Sequence, residues 1–206
     1  MQPDDSKPDG EQSAQIIAST RLWLEKAVIG LNLCPFAKPA HASGRIRFAL
    51  SSARSEQALL ADLEGELETL AEAHPEGVET TLLIHPHVFQ DFLDYNDFLD
   101  VADAALAALD LEGIIQVASF HPDYRFAGTE ADDISNYSNR SPYPMLHLLR
   151  EDSVERAVAA HPDTDAIYQR NIETLRRIGL EGWRALGLGL GLGPGPGLET
   201  DKKPGD

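Results

Sequence analysis

The sequence predicts an α/β fold, a small two- or three-layer sandwich with a mainly parallel sheet of three to four strands flanked by helices. Two observations carry this. Between Arg45 and Ser119 short β-rich apolar runs alternate with longer stretches whose apolar residues recur at helical spacing, which reads as a βαβαβ core with right-handed crossovers. The chain of 206 residues, 42% hydrophobic and 25% charged, is long enough to bury one sizeable core and ordinary in composition for a globular protein.

Residues 1–12 are polar, acidic and marked by Pro and Gly, and read as a disordered leader. A single α/β domain then spans 13–186. From Ser13, the apolar positions Ile16/Ile17, Trp23/Leu24, Ala27/Val28 and Leu31 predict a helix ending near Gly30. A Pro/Gly-broken loop holding Cys34 follows. Arg45–Ser51 alternates Ile46, Phe48 and Leu50 with polar or small residues, as a half-buried strand does.

Ser55 is placed to cap a helix over Glu56–Ala73, whose buried stripe is Leu59/Leu60, Leu63, Leu67 and Leu70. Glu79–His85 is β-rich and apolar, an interior strand. Val88–Leu109 is helical but its apolar face does not hold still. Phe89, Phe92 and Leu93 lie opposite Leu99, Ala102, Leu106 and Leu109 at about 100° per residue. A kink with Asn96 capping a second helix resolves the conflict. The aspartates at 91, 94, 97, 100 and 103 wind around such a helix and read as surface.

Ile114–Ser119 is the third strand. Pro144–Arg150 reads as a helical turn or a fourth strand, Asp152-x-x-Glu155 as a capping box for a helix to Ala160, and Thr164–Ile178 as a last helix. Residues 187–206, rich in Gly and Pro, read as a disordered tail without the strand and helix that a phosphate loop needs.

The balance of 17 Lys+Arg against 34 Asp+Glu gives a net charge of −17, which repels phosphate backbones and anionic membranes and disfavours both as partners. One cysteine excludes an internal disulfide. The start lacks the basic and apolar regions of a signal peptide, and no apolar run approaches a bilayer span. A cytoplasmic location is expected. The oligomeric state is not encoded in any pattern here.

Chemistry is expected in Ser119–Glu151, a long aperiodic stretch too aromatic for disorder. Open α/β sheets bind ligands beyond the carboxyl ends of their strands, and two strands end there in His-Pro turns, His85-Pro86-His87 and His121-Pro122-Asp123. If these strands are neighbours, both turns share a rim.

Three constellations follow. Cys34, with Pro35 opening a helical turn and Lys38 one turn on, has the setting of a lowered thiol pKa, and with His121 as general base it forms a nucleophilic or redox site. The plain alternative is a small buried hydrophobe. Arg125, Asn136, Asn139, Arg140 and Ser141 offer donors to grip a small anionic substrate, or else brace their own loop. Asp123, His147, Arg150 and Glu151 form the outer support of that site; alternatively His121, His147 and Glu151, with Asp123 as a further candidate, form a ligand set for zinc, iron or manganese. Here the plain alternative is an ion pair from Arg150 to a carboxylate and a His147 that fills a core niche. A third class of function is a non-catalytic binding or scaffold protein. It predicts exposed rings at Tyr124, Phe126, Tyr137 and Tyr143, with the polar groups paired internally.

The segments NLCPFAK (Asn32–Lys38), FHPDYRFAGT (Phe120–Thr129) and NYSNRSPYPMLHLLRE (Asn136–Glu151) together resemble the uncharacterised bacterial proteins grouped as domain of unknown function 1415. The resemblance runs from about Ser13 to Leu186. It implies a free-standing bacterial domain and brings no activity, substrate or ligand set with it.

Overall fold

The computed structural model describes residues 10–160 and 165–188. Helix α1 (Gly10–Trp23) passes directly into a π-helical segment, Leu24–Ile29, and a short helix α2 (Ala37–Ala42) follows. Strand β1 (Ile46–Leu50), helix α3 (Glu56–Glu72), strand β2 (Thr80–Ile84), helix α4 (Phe92–Ala108) and strand β3 (Ile115–Phe120) then alternate. Strand β4 (Met145–Arg150) and helices α5 (Glu151–Ala160) and α6 (Asp165–Ala185), the last broken by a kink at Gly179 (φ 62), follow. The helix expected from Ser13 thus begins at Gly10, inside the expected leader. The rest of that leader, and all of the expected tail beyond Leu188, lies outside the described residues.

The sheet is mixed, which corrects the mainly parallel expectation. Its order is β1-β2-β4-β3. β1 and β2 are parallel, but β4 enters between β2 and β3 and runs antiparallel to both. The two strands ending in His-Pro turns are therefore not neighbours. They still share a rim, because Ile84 and Phe120 both register with Met145.

Successive strand residues face opposite sides, and a core forms on each. Leu83, Ile115, Leu146 and Leu148 pack under α3 and α4 with Leu59, Leu63, Leu67, Leu70, Tyr95, Phe98 and Ala102. Leu82, Ile84 and Met145 pack under Ile16, Trp23, Leu24, Ala27, Leu175 and Trp183. β2, buried along its whole length, is the interior strand its composition predicts.

The expected kink at Asn96 is absent. One helix, α4, starts at Phe92 behind Asp91, whose carboxylate accepts from the Leu93 and Asp94 amides. The helical wheel conflict disappears because Phe89 precedes the helix and Leu93 is 61% exposed. The buried stripe is Tyr95, Phe98, Ala102, Ala105 and Leu106. The aspartates at 94, 97, 100 and 103 are exposed, as expected for surface. α5 begins directly after β4, and Asp152 pairs with Arg156 one turn on at 2.8 Å. Ser55 caps α3 by accepting from Ala58. Gly30 follows the π segment, where a Cβ would stand 2.3 Å from the Lys26 carbonyl oxygen.

Candidate functional site

The rim at the carboxyl ends of β2 and β3 is built around Tyr95. His85 stacks on its ring at 5.8 Å between centroids, and His121 lies against it at 5.1 Å. Both histidines are fully buried. The Tyr95 hydroxyl donates to the Met145 carbonyl and accepts from the Phe120 amide, joining the ends of β4 and β3. Burial pushes the Tyr95 hydroxyl well above its usual range.

The hydrogen-bond partners place the ring proton in each imidazole, and in His121 they also fix the neutral form. A carbonyl oxygen only accepts, so His85 Nδ1 carries the proton it gives to Val88, 3.1 Å away. Its Nε2 is then a buried acceptor without a partner among the described residues. His121 Nε2 donates to the Phe89 carbonyl at 3.1 Å, and its Nδ1 accepts from the Asp123 amide at 3.0 Å. Two ring N–H groups thus hold consecutive carbonyls, Val88 and Phe89. Phe89 has φ 55, a left-handed conformation that a bulky residue rarely adopts, so the turn between β2 and α4 is held against its own preference. Burial depresses both histidines, His85 to about 4, while Asp123 and Asp91 partly offset the shift at His121.

The loop from His121 to Pro144 is braced from within. Asn136, fully buried, accepts from the Phe126 amide and the Thr129 hydroxyl and donates to the Glu130 carbonyl. Asn139 donates to the Ser119 carbonyl and accepts from Ser138. Arg140 donates to the Tyr124 and Ala131 carbonyls, lies 4.4 Å over the Tyr137 ring, and receives Trp23 Nε1 on its carbonyl. Ser141 donates to the Tyr143 carbonyl. Arg125 and Asp123 are exposed. The donors read as anion-gripping are therefore engaged with backbone carbonyls, apart from Arg125.

Cys34 and His121 stand on opposite sides of the sheet. Cys34 packs with the Trp23–Tyr137 core, whereas His121 packs against Phe92 and Tyr95 beneath α4. The amides of Phe36 and Ala37 draw the Cys34 thiol down, as the helical turn predicts, but burial outweighs them and pushes it up. We expect alkylation of native Cys34 to titrate at or above the free-thiol value of about 8.5. A rate plateau below pH 7 would contradict this.

The metal ligand set is likewise divided. His147 points to the face opposite His121, where its Nε2 meets Thr80 Oγ1 at 2.7 Å. The Thr80 hydroxyl gives its proton to the Leu148 carbonyl, so His147 is the donor in that pair. Burial lowers it to about 4. Among the described residues no group of three or more His, Cys, Asp or Glu side chains is disposed to hold a metal ion. Among the described residues Arg150 pairs with no carboxylate. It lies 8% exposed and donates to the Leu70 and Ala73 carbonyls at the end of α3 and to the Val78 carbonyl in the connection to β2. Glu151, half-buried, donates its amide to Ile114.

A cavity of about 260 Å³ opens at the end of β1, lined by Ser13, Ala49–Ser52, Asp62, Glu66 and Leu83. No residue expected to carry chemistry reaches it. Its two carboxylates are already bonded, Asp62 to Ser51 and Glu66 to Arg47. It is smaller than the ~300–1,000 Å³ of ordinary small-molecule pockets.

The residue missed by sequence reasoning is Tyr95. Its periodicity with Phe98, Ala102 and Ala105 was the available signal. From it an aromatic row runs outward: Phe92 to Tyr124 at 5.2 Å, Tyr124 to Phe126 at 5.0 Å, and Phe126 to Tyr168 at 6.1 Å. Tyr168 is 49% exposed.

Together these features define an α/β domain with a four-stranded mixed sheet and a rim of neutral, buried histidines. The chain belongs to the family described as "Protein of unknown function (DUF1415)", whose model matches residues 15–185, close to the span of the resemblance. No curated protein and no solved structure matches it. Among the described residues no helix is long and apolar enough to cross a membrane.

Proposed function

We propose that this protein is a non-catalytic binding protein that docks an apolar protein segment across the row Tyr124, Phe126 and Tyr168. The observation that carries the reading is the internal pairing of His121, Asn136, Asn139, Arg140 and Ser141. Donors and acceptors engaged within the loop are not turned toward a substrate, and they brace the loop so that its rings are held at the surface. Tyr124 and Phe126 are half-buried and Tyr168 is exposed. Rigid aromatic anchors of this kind dominate binding energy at interfaces. Tyr143 is half-buried as well, whereas Tyr137 is buried against Trp183 and takes no part.

The test places a photo-crosslinking residue at Tyr168 in the full-length chain, in its native cells. A single stoichiometric protein adduct is expected, and Phe126→Ser should abolish it while Asp123→Asn leaves it intact. Failure to crosslink any protein, or an adduct indifferent to Phe126→Ser, would overturn the reading.

A further inference from the structure

We infer that the outer edge of β1 receives an extended segment of a partner protein as an added strand, with a lysine of that segment seated in the cavity beside it. The backbone supplies the first half of this site. Ser51 donates its amide to Ile84 and Arg45 accepts from Glu79, so odd-numbered residues bond β2. Ile46, Phe48 and Leu50 therefore turn their amides and carbonyls away from the sheet. These outward groups have no partner among the described residues.

The side chains leave that edge accessible. Ile46, Phe48 and Leu50 pack into the core under α1, with Arg21 lying 4.1 Å over the Phe48 ring. A charge on an edge strand normally blocks further pairing. Here Arg47, the one charge in β1, is held by two bonds to Glu66, and Arg45 just before it pairs with Glu79 at 2.9 Å.

The cavity at the end of β1 supplies the second half. Ser13 belongs to α1 on one face of the sheet, and Asp62 and Glu66 belong to α3 on the other. A cavity that touches all three passes around β1, the outermost strand, and it meets the outward-facing Leu50 there. Apolar Ala49 and Leu83 share its lining with the serines and carboxylates. Its volume of about 260 Å³, small for a free ligand, suits one side chain with an apolar stem and a cationic tip. Backbone bonds along the edge then give affinity, and the cavity gives specificity.

Charge selects the cation. Both oxygens of Glu66 are engaged by Arg47, whereas Asp62 is held only by the Ser51 hydroxyl and meets no cation among the described residues. In a chain of net charge −17 such an acceptor favours a basic partner. Asp62, Ser13 and Ser52 offer single acceptors on separate groups, which match the three donors of an ammonium better than the planar fork of a guanidinium.

The probe is the peptide acetyl-Thr-Val-Lys-Val-Thr-amide, whose side-chain order is the same in either strand direction, titrated into the isotope-labelled full-length chain. Saturable resonance shifts and slowed exchange are expected at the Phe48 and Leu50 amides, with a dissociation constant below about 1 mM at about 0.02 M salt. Norleucine in place of the peptide's lysine should weaken binding about tenfold. Asp62→Asn, which still accepts from Ser51, should do the same with thermal unfolding retained. A peptide drawn only by net charge would scarcely register the loss of one carboxylate. Phe126→Ser leaves this edge untouched, so the peptide should still bind the variant that tests the aromatic row. The assignment fails if nothing saturates by about 5 mM peptide, if norleucine binds as well as lysine, or if Phe48 and Leu50 do not respond. It fails equally if light scattering gives twice the 22.5 kDa chain mass with those amides protected before peptide is added, since a second copy would then hold the edge.

Discussion

Acidification from pH 7 toward pH 4 is expected to remove about 3 kcal/mol of folding stability through His85 alone. The cause is visible in its surroundings. The Nδ1 proton is committed to Val88, the buried Nε2 has no acceptor nearby, and the ring lies between Tyr95 and the turn that holds Phe89. Adding a proton at Nε2 places a charge and an unmatched donor in that space. The folded-state value is about 4 against an ordinary 6.5, and each unit is worth about 1.36 kcal/mol. The unfolded chain takes up a proton that the folded chain refuses. His85 therefore costs nothing above pH 6.5, and its cost grows as pH falls and is complete near 4. His147, also held near 4, adds a loss of the same sign, reduced because its side chain is only half-buried. Against a total stability of about 5–15 kcal/mol these are large fractions.

The pH window separates this from ordinary acid unfolding. Asp133 and Asp152, held below their usual 3.8 by bonds to Ser135 and Arg156 respectively, lose their contribution only at lower pH. Urea unfolding from pH 7.5 to 4.5 should show the midpoint falling below pH 6.5. His85→Phe keeps a stacked ring and removes the titrating group. It should cost about 1 kcal/mol at pH 7 for the lost bond to Val88, yet flatten the decline by about one proton. A variant whose stability falls in parallel with the wild type through that range would refute the role given to His85.

Most elements were legible because burial periodicity survives in the sequence: the leucine stripe of α3 and the continuous apolar run of β2. The direction of β4 was not. A strand of MLHLLR has the same pattern whichever way it enters, and the loop before it is long enough to return on either side. The site was legible as an ordered, donor-rich stretch, and the choice between gripping a ligand and bracing the loop was not. Asn136 and Arg140 bond mainly to backbone amides and carbonyls, which every residue carries and no composition reveals. His121 was placed on the correct rim, but the engagement of its Nε2 depends on Phe89, 32 residues away, in a strained turn.

The same reasoning gives Arg150 an effect of the same size. Its guanidinium closes the carboxyl end of α3 by reaching the Leu70 and Ala73 carbonyls, and it also reaches Val78 in the connection to β2. A helix leaves its last carbonyls without partners and gathers negative potential there, so one buried cation supplies both the missing donors and the matching charge. Hydrogen bonds to charged groups contribute about 1.5–3 kcal/mol each, and carbonyls that regain water recover part of that. Arg150→Met keeps the apolar stem and removes every donor, and should cost about 3 kcal/mol, well above the typical substitution. In melting temperature this is a drop of about 6–12 °C for a chain of this size. Arg150→Lys retains the charge as a point donor without the planar fork, and should recover about half. Amide exchange should accelerate at the last turn of α3 and around Val78, and leave the rim at His121 unchanged. A loss below about 1 kcal/mol for Arg150→Met, the range of a screened surface ion pair, would mean that water serves these carbonyls as well as the guanidinium does.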